Sequence, residues 1–427
     1  MSLPPMKTFG RVTPARTRAT NAELARDFLE LSFQLENGAP LAALTRFEGP
    51  ITVKVSGKAP SSLQPDLTRL LERLRREARI DITQVTSDEP ASIVIEPVRR
   101  AQIASAAPTA ACFVRPNVTG WSDYRRKRND PETFWTNLKV RRQMAIFLPR
   151  DVSPQEVRDC LHEEIGQALG PLNDIYRLEQ SIFNDDNFHS VLTSYDMLIL
   201  RAYYDRSLEN GMSAAEVAAR LPAIFSRLNP AGRRVGGIAP AASNAPGWQA
   251  AIDRATRPGM NRARQAVFAR QAVQLARAFG PADTRLAFSH YVLGRLTLGS
   301  DPEEALRSFI AAGRIYQRAP TSKLQEAHIA VQIAAFQLSA GLPDAALGLV
   351  EQNLDAARRA EHAALLSLLL LVKSQAELLI GNEDASRATE REALAWARYG
   401  FGSDREVAAR VREIRAISPR PDQGNPA

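Results

Sequence analysis

The sequence contains few cysteines and histidines: 2 and 5, respectively, among 427 residues. Two cysteines allow at most one disulfide, which excludes a scaffold held together by several. The same count suits a cytosolic protein with two buried thiols. Composition alone therefore leaves the state of Cys112 and Cys160 open.

Long apolar runs are also missing. The most apolar run, residues 363–372, is shorter than the roughly 18 to 20 residues that a membrane-spanning helix needs, so we expect no transmembrane segment. Residues 1–20 are polar, and no signal peptide is visible in them. They predict a disordered leader. No glycine-rich phosphate loop is found, since residues 232–237 follow no strand and open no helix.

Positive charge is in excess, with a net charge of +8. The densest basic run, Tyr124 to Arg128, is short and lies in a polar loop. Contact with nucleic acid or anionic lipid would suit such a run. A solvated loop is the favoured interpretation because no nucleic-acid motif accompanies it, and we expect no nucleic-acid partner.

Hydrophobic periodicity predicts an α+β domain over residues 21–230. Its strands are expected at residues 51–55, 80–82, 92–95, 111–114 and 144–148. A long helix should follow, with Ser153 as N-cap, Pro154 in the first turn and Glu156 closing a capping box. It should stop at Gly170-Pro171.

The remaining chain predicts an all-α domain. Residues 231–248, rich in Gly, Ala, Pro and Ser, indicate a linker, and residues 249–417 are helical in pattern. Turn glycines recur at positions 299, 341 and 381, each between two helices. This repeat resembles tetratricopeptide hairpins, with a period longer than the usual ~34 residues, and a plain helical bundle is the alternative. Residues 418–427 predict a disordered tail.

The stretch from Glu163 to Asp174 has the ligand spacing of a zinc peptidase without its histidines. Such enzymes place two ligands one helical turn apart and a glutamate beside the first. In the longer metzincin pattern, Glu163 takes the place of the first histidine, Glu164 of the general base and Gln167 of the second histidine. Gly170 stands at the turn glycine. Asn173 stands at the third ligand position, and Asp174 follows it.

The sequence further along the chain strengthens this resemblance to zincins. Residues 181–184 resemble the methionine-containing turn beneath the metal, with Phe183 at the methionine position and Asn184 after it. A last helix should begin near Thr193. The loop residue His189 could approach the metal position, although an exposed polar loop is the favoured interpretation. The resemblance implies a zincin-like fold over residues 21–212, with a mixed sheet backed by helices.

At closer range the segments Cys160 to Asp174 and Ser181 to Asp186 are similar to a bacterial family described only as domain of unknown function 2927. That family occurs in exported proteins and has no established activity. The resemblance implies a periplasmic or secreted protein. It also implies a disulfide between Cys112 and Cys160, which would tie the sheet to the long helix.

The chemistry of the motif leaves several possibilities. Amide oxygens of Gln167 and Asn173 are poor zinc ligands, so no zinc is expected. With Glu163 and Asp174 they would form an oxygen-only set suited to Ca²⁺, Mg²⁺ or Mn²⁺. The same residues could instead form a buried polar network. Acid–base chemistry without a metal is a further possibility, but adjacent residues point about 100° apart on a helix, which disfavours a close carboxyl pair of Glu163 and Glu164.

Two functions follow from these patterns. The favoured one is an exported, noncatalytic zincin-like domain joined to a helical-repeat module that binds another protein, since stacked repeats create extended concave surfaces. The competing one is a metal-dependent, peptidase-like hydrolase with Glu164 as general base. The sequence leaves the substrate, the partner and the oligomeric state open.

Overall fold

The structure is a computed structural model that describes residues 3–10, 17–233 and 246–417. These residues fall into two compact units. One contains residues 17–233, and the other contains residues 3–10 together with residues 246–417. Within the described ranges, every helix is too short or too polar to cross a membrane.

A mixed sheet of five strands forms the centre of residues 17–233, in the order β2-β1-β3-β5-β4. The strands are β1 (Ile51–Val55), β2 (Ile82–Gln84), β3 (Ile93–Val98), β4 (Phe113–Pro116) and β5 (Met144–Pro149). β2, β1, β3 and β5 run parallel, while β4 pairs antiparallel with β5 at the edge. Every residue of β5 is buried, as expected for a central strand covered on both faces. The predicted α+β class is confirmed.

Helices surround this sheet: α1 (Asn21–Phe33), α2 (Leu63–Arg73), α3 (Arg100–Ala106), α4 (Trp121–Lys127), α5 (Pro154–Leu169), α6 (Ser194–Tyr203) and α7 (Ala214–Leu228). The predicted long helix and last helix correspond to α5 and α6. Both begin with a capping box, formed by Ser153 with Glu156 and by Thr193 with Asp196.

Three short or late helices differ from the sequence-based prediction. α4 lies within the stretch interpreted as a loop, and α3 and α7 were not expected. α7 buries Val217, Leu221 and Phe225 on one face, at helical spacing. Pro222 inside it obscures the pattern, because proline normally ends a helix.

Residues 246–417 of the second unit form a succession of helices joined by turns. Its helices are α8 (Pro246–Thr256), α9 (Arg262–Ala276), α10 (Thr284–Thr297), α11 (Pro302–Tyr316), α12 (Lys323–Ser339), α13 (Pro343–Arg359), α14 (Ala363–Leu379), α15 (Glu383–Phe401) and α16 (Asp404–Arg415). The three turn glycines separate α10 from α11, α12 from α13 and α14 from α15. Gly341 and Gly381 have φ angles of +71° and +84°, which favour glycine there.

The structure describes parts of the predicted linker and of the predicted leader. α8 begins inside the interval 231–248 interpreted as a linker, and residues 234–245 and the tail 418–427 lie outside the described residues. Part of the predicted leader is ordered: Phe9 stacks on Trp396 with ring centroids 4.5 Å apart. The backbone N–H of Lys7 donates to the carbonyl oxygen of Ala395 at 3.1 Å. Aromatic packing on α15 therefore holds a segment whose polar composition suggested disorder.

Candidate functional site

The C-terminal half of α5 lines a cavity next to the edge strand β4. A disulfide between Cys112, which precedes β4, and Cys160 on α5 joins the two elements, with Cα atoms 5.8 Å apart. The cavity has a volume of about 570 Å³. Its polar lining includes Glu36, Glu163, Glu164, Gln167, Asp174 and Asp185. The fold thus brings acidic residues from several segments of the chain to one place.

Glu163 and Glu164 both reach the cavity although they are neighbours on a helix. One carboxylate oxygen of each lies within 4.8 Å of the other and of Cys112 Sγ. This limit is longer than a hydrogen bond, so the prediction that adjacent residues on a helix do not form a close carboxyl pair stands as a prediction. Cys112 Sγ is not a free thiolate ligand, because it belongs to the disulfide.

The polar groups in this cavity are only partly satisfied. Glu164 accepts a hydrogen bond from the backbone N–H of Val114, while its Oε2 is buried and has no hydrogen-bond partner among the described residues. Asp174 hydrogen-bonds with Glu36, and its Oδ1 is likewise buried without a partner in the described ranges. Gln167 Nε2 donates weakly to Glu36 Oε1 at 3.5 Å. Since buried polar atoms are normally paired, the two orphan oxygens indicate a missing ligand or a bound proton.

Burial and mutual repulsion raise the pKa of the carboxyl groups here. Burial, followed by repulsion from the carboxylates of Asp159 and Glu36, raises the pKa of Glu163 to about 8. Burial, followed by repulsion from Glu163, also raises the pKa of Glu164 and of Asp174 well above their usual ranges. Each shift favours the protonated carboxyl group, and a bound cation would favour the charged form instead.

The two glycines of the motif allow close packing beneath α5. A Cβ atom on Gly166 would lie 2.6 Å from Cζ of Phe183, and one on Gly170 would lie 2.9 Å from Cδ2 of Tyr203. Phe183 is fully buried. It therefore packs against the helix that carries Glu163 and Glu164.

A buried carboxylate holds the turn around Phe183 against the start of α6. Asp196 accepts hydrogen bonds from the hydroxyl of Ser181, from the backbone N–H of Ile182 at 3.1 Å and from that of Thr193 at 2.7 Å. Asn184 organises the next residues, because its Oδ1 accepts from the backbone N–H of Asp186 at 3.0 Å. Asn184 thus shapes the turn.

Two residues predicted for the site lie elsewhere. Asn173, expected as third ligand, donates through Nδ2 to the carbonyl oxygen of Glu30 on α1 at 3.1 Å and is not among the residues that line the cavity. His189 Nε2 lies 3.0 Å from the carbonyl oxygen of Glu179. Its ring is half-buried rather than exposed, and burial lowers its pKa to about 4. Backbone hydrogen bonds hold both side chains away from the ligand position.

Sequence reasoning missed Arg141, which is only 1% exposed. Its guanidinium donates to the carbonyl oxygens of Gln167, Ala168 at 2.9 Å and Gly170 at 2.6 Å. These carbonyls at the end of α5 would otherwise lack partners, and a cation there interacts favourably with the helix dipole. No local pattern distinguishes Arg141 from the exposed Arg142. Glu36 was missed as well, because it lies far from the motif in sequence.

These features define an α+β domain with an acidic cavity beside a disulfide-anchored helix. Residues 21–223 match the model of a family described as protein of unknown function (DUF2927). This match confirms the family resemblance for that part of the chain. No curated protein and no solved structure matches the chain.

Proposed function

We propose that residues 21–230 form a zincin-like domain that binds a hard divalent cation in the acidic cavity. One observation carries the proposal: Glu164 Oε2 and Asp174 Oδ1 are buried without partners in the described residues, and both residues line this cavity. A closed hydrogen-bond network would leave no such orphan atoms. A cation in the cavity would give such an oxygen a partner; Glu163 and Glu164 have ligand oxygens within 4.8 Å of each other, and Asp174 lies outside that group.

The donor chemistry selects the type of cation. Glu163, Glu164 and Asp174 supply carboxylate oxygens, and Gln167 can add a neutral amide oxygen. Such oxygen-only groups favour Ca²⁺, Mg²⁺ or Mn²⁺, whereas zinc prefers imidazole and thiolate. The exposed carboxylate of Glu36, which contacts Gln167 and Asp174, would orient these ligands.

The rest of the proposal concerns the whole chain. The domain is noncatalytic, and the three helical hairpins between residues 284 and 401 form a tetratricopeptide-like module for a protein partner. The protein is exported to the periplasm or secreted. The disulfide between Cys112 and Cys160 supports this location, because disulfides persist in oxidising compartments.

A second function has one specific observation in its favour. Burial raises the pKa of Glu164 above its usual range, which is the direction in which enzymes shift a glutamate general base, and its unpaired Oε2 belongs to a residue that lines the cavity. With a cation held by its neighbours, Glu164 could accept a proton from a water molecule. This is the chemistry of a metal-dependent, peptidase-like hydrolase.

Calorimetric titration with Ca²⁺, Mg²⁺, Mn²⁺ and Zn²⁺ tests the cation site. We expect one site that prefers a hard cation, with affinity that rises with pH through about 8 as Glu163 loses its proton. Glu164→Gln should weaken binding about tenfold or more, since it removes a charged ligand. Glu156→Gln is the matched control on the same helix, because Glu156 is exposed near the other end. Absence of binding, or equal effects of both variants, would contradict the proposal.

Hydrolysis of a fluorogenic peptide mixture separates the two functions. The noncatalytic proposal expects the same rate for the cation-loaded protein and for its Glu164→Gln variant. A rate that depends on the cation and is lost in Glu164→Gln, but kept in Glu156→Gln, would establish the hydrolase instead.

A further inference from the structure

A second polar cavity lies where three neighbouring parallel strands end. Lys58 follows β1, Arg99 follows β3 and Arg150 follows β5. Because the carboxyl ends of parallel strands meet at one edge of a sheet, these residues converge, and together they line a cavity of about 330 Å³. The remaining lining residues are Ala59, Pro60 and Asp151. In open sheets this edge is where ligands commonly bind.

The three basic side chains at this edge are not neutralised by the protein. Within the described ranges, none of Lys58, Arg99 and Arg150 forms an ion pair. Asp151 supplies one negative charge to the lining against these three positive ones, and its Oδ1 accepts a hydrogen bond from the backbone N–H of Arg100 at 2.8 Å. The side chain of Arg100 pairs with Glu156 at 3.3 Å. The cavity therefore keeps an excess of positive charge.

The backbone adds to this positive potential. α5 begins at Pro154, three residues after Asp151, and α2 begins at Leu63, three residues after Pro60. The amino end of a helix carries a partial positive charge. At α5 the capping box of Ser153 and Glu156 already pairs N–H groups, so α5 contributes through its dipole. Ser62 provides no side-chain cap at the start of α2. Three side-chain cations beside two helix starts repel one another unless an anion lies between them.

We propose that this strand-end cavity binds a phosphate-bearing anion. Two guanidinium groups offer planar pairs of N–H donors that match phosphate oxygens, and Lys58 adds a third positive charge. The cavity volume suits a diphosphate or a small phosphomonoester. The site is separate from the acidic cavity, because along α5 about 15 Å of helix lies between Pro154 and Glu164. The inference does not depend on the cation proposal.

Calorimetric titration of the full chain with pyrophosphate at low salt tests this site. We expect saturable 1:1 binding that weakens about tenfold or more in the double variant Arg99→Gln/Arg150→Gln, because both charged donors are lost. The matched control is Arg125→Gln/Arg128→Gln, which removes the same charge from exposed positions in the same unit. Its affinity should change less than about twofold, as expected for distant, screened charges.

Two further measurements make the outcome decisive. Lys58→Gln, an exposed single substitution, replaces the double variant if that one does not fold. Glu164→Gln should keep full pyrophosphate affinity, so failure of the cation proposal leaves this test intact. Equal weakening in the strand-end and control variants would overturn the proposal, and so would absence of saturable pyrophosphate binding together with absence of vesicle retention.

The source of the phosphate group can be distinguished in the same system. A soluble ligand predicts binding of pyrophosphate and inorganic phosphate, with no retention on phosphatidylcholine vesicles that contain phosphatidic acid. A lipid headgroup predicts retention on those vesicles, lost in Arg99→Gln/Arg150→Gln and kept in Arg125→Gln/Arg128→Gln. Either result supports a phosphate site. Failure of both arms overturns it.

Discussion

Both ends of α5 lie beside charges that oppose its dipole as well as charges that match it. Basic residues 58, 99 and 150 lie near its positive amino end, whereas Glu163 and Glu164 lie toward its negative carboxyl end. Glu156 in the first turn and Arg141 at the last carbonyls have the stabilising signs. In the two binding proposals, a ligand of opposite charge would offset each unfavourable cluster. The two ends thus differ in the sign of the ligand that each is proposed to bind.

The clusters differ in how they tolerate their charge. The basic residues at the amino end are exposed or half-buried, so water and salt screen their repulsion. Glu164 and Asp174 at the other end are buried and Glu163 is half-buried, and burial raises the pKa of all three. The acidic end therefore responds mainly to pH, whereas the basic end responds mainly to ionic strength.

The largest loss of stability should come from replacing Arg141, whose positive charge lies at the carboxyl end of α5. Arg141→Met leaves the carbonyl oxygens of Gln167, Ala168 and Gly170 buried without their donor. We expect the free energy of unfolding to fall by about 3–5 kcal/mol, as for loss of a buried, fully bonded charge. Urea denaturation measures it.

Arg142→Met is the matched control for that substitution. Arg142 is the adjacent residue and is exposed. Its replacement should change the free energy of unfolding by less than about 0.5 kcal/mol, the range of ordinary surface substitutions. Similar losses in both variants would show that Arg141 does not stabilise the end of α5.

The sequence predicted the parts of the fold that depend on local chemistry. The start of α5 follows from Ser153, Pro154 and Glu156, whose capping box is visible in three nearby positions. The turns of the helical hairpins were likewise predictable, because their glycines mark them within a few residues. α7 was missed because Pro222 obscures its pattern, and the segment around Phe9 was missed because it depends on packing against Trp396, far along the chain.

The candidate site was predictable only where one segment supplies it. Glu163, Glu164, Gln167 and Asp174 lie within a single motif, and all four line the cavity. Glu36 comes from the turn after α1, and no spacing rule connects it with that motif. Asn173 matched the expected spacing, yet its side chain faces α1. Spacing gives the position of a Cα atom, while the surrounding packing decides the direction of the side chain.

Gly166→Ala should lower stability by an intermediate amount. It tests how Phe183 packs against the part of α5 that carries Glu163 and Glu164. The added Cβ would lie 2.6 Å from Cζ of Phe183 and 3.3 Å from Cδ2 of Leu192. Both side chains are fully buried, so we expect a loss of about 2–3 kcal/mol in the free energy of unfolding. Gly348→Ala is the control within α13, where nothing lies within 4 Å, and it should stabilise by up to about 1 kcal/mol. A neutral Gly166→Ala would show that Phe183 does not pack there.

The smallest expected change in stability comes from replacing Glu163, with Glu156 on the same helix as the control. Burial raises the pKa of Glu163 from 4.5 to about 8, so the folded protein holds this proton more tightly than the unfolded chain. Its contribution to stability is complete below about pH 4.5 and is lost as the pH rises through about 8. At pH 8 without a cation, Glu163→Gln should therefore be more stable than the natural protein by about 1–2 kcal/mol, a range reduced for partial solvent screening.

Thermal unfolding between pH 5 and pH 8 measures this difference between the ends of the helix. The melting temperature of the natural protein should fall more steeply with pH than that of Glu163→Gln. Glu156→Gln, at the exposed amino end, should follow the natural protein, because Glu156 is exposed to solvent. Added Ca²⁺ should restore the stability of the natural protein at pH 8 and leave Glu163→Gln nearly unchanged, since a cation stabilises only the state that binds it. Parallel pH profiles for all three proteins would mean that the carboxyl end of α5 carries no more electrostatic strain than its amino end.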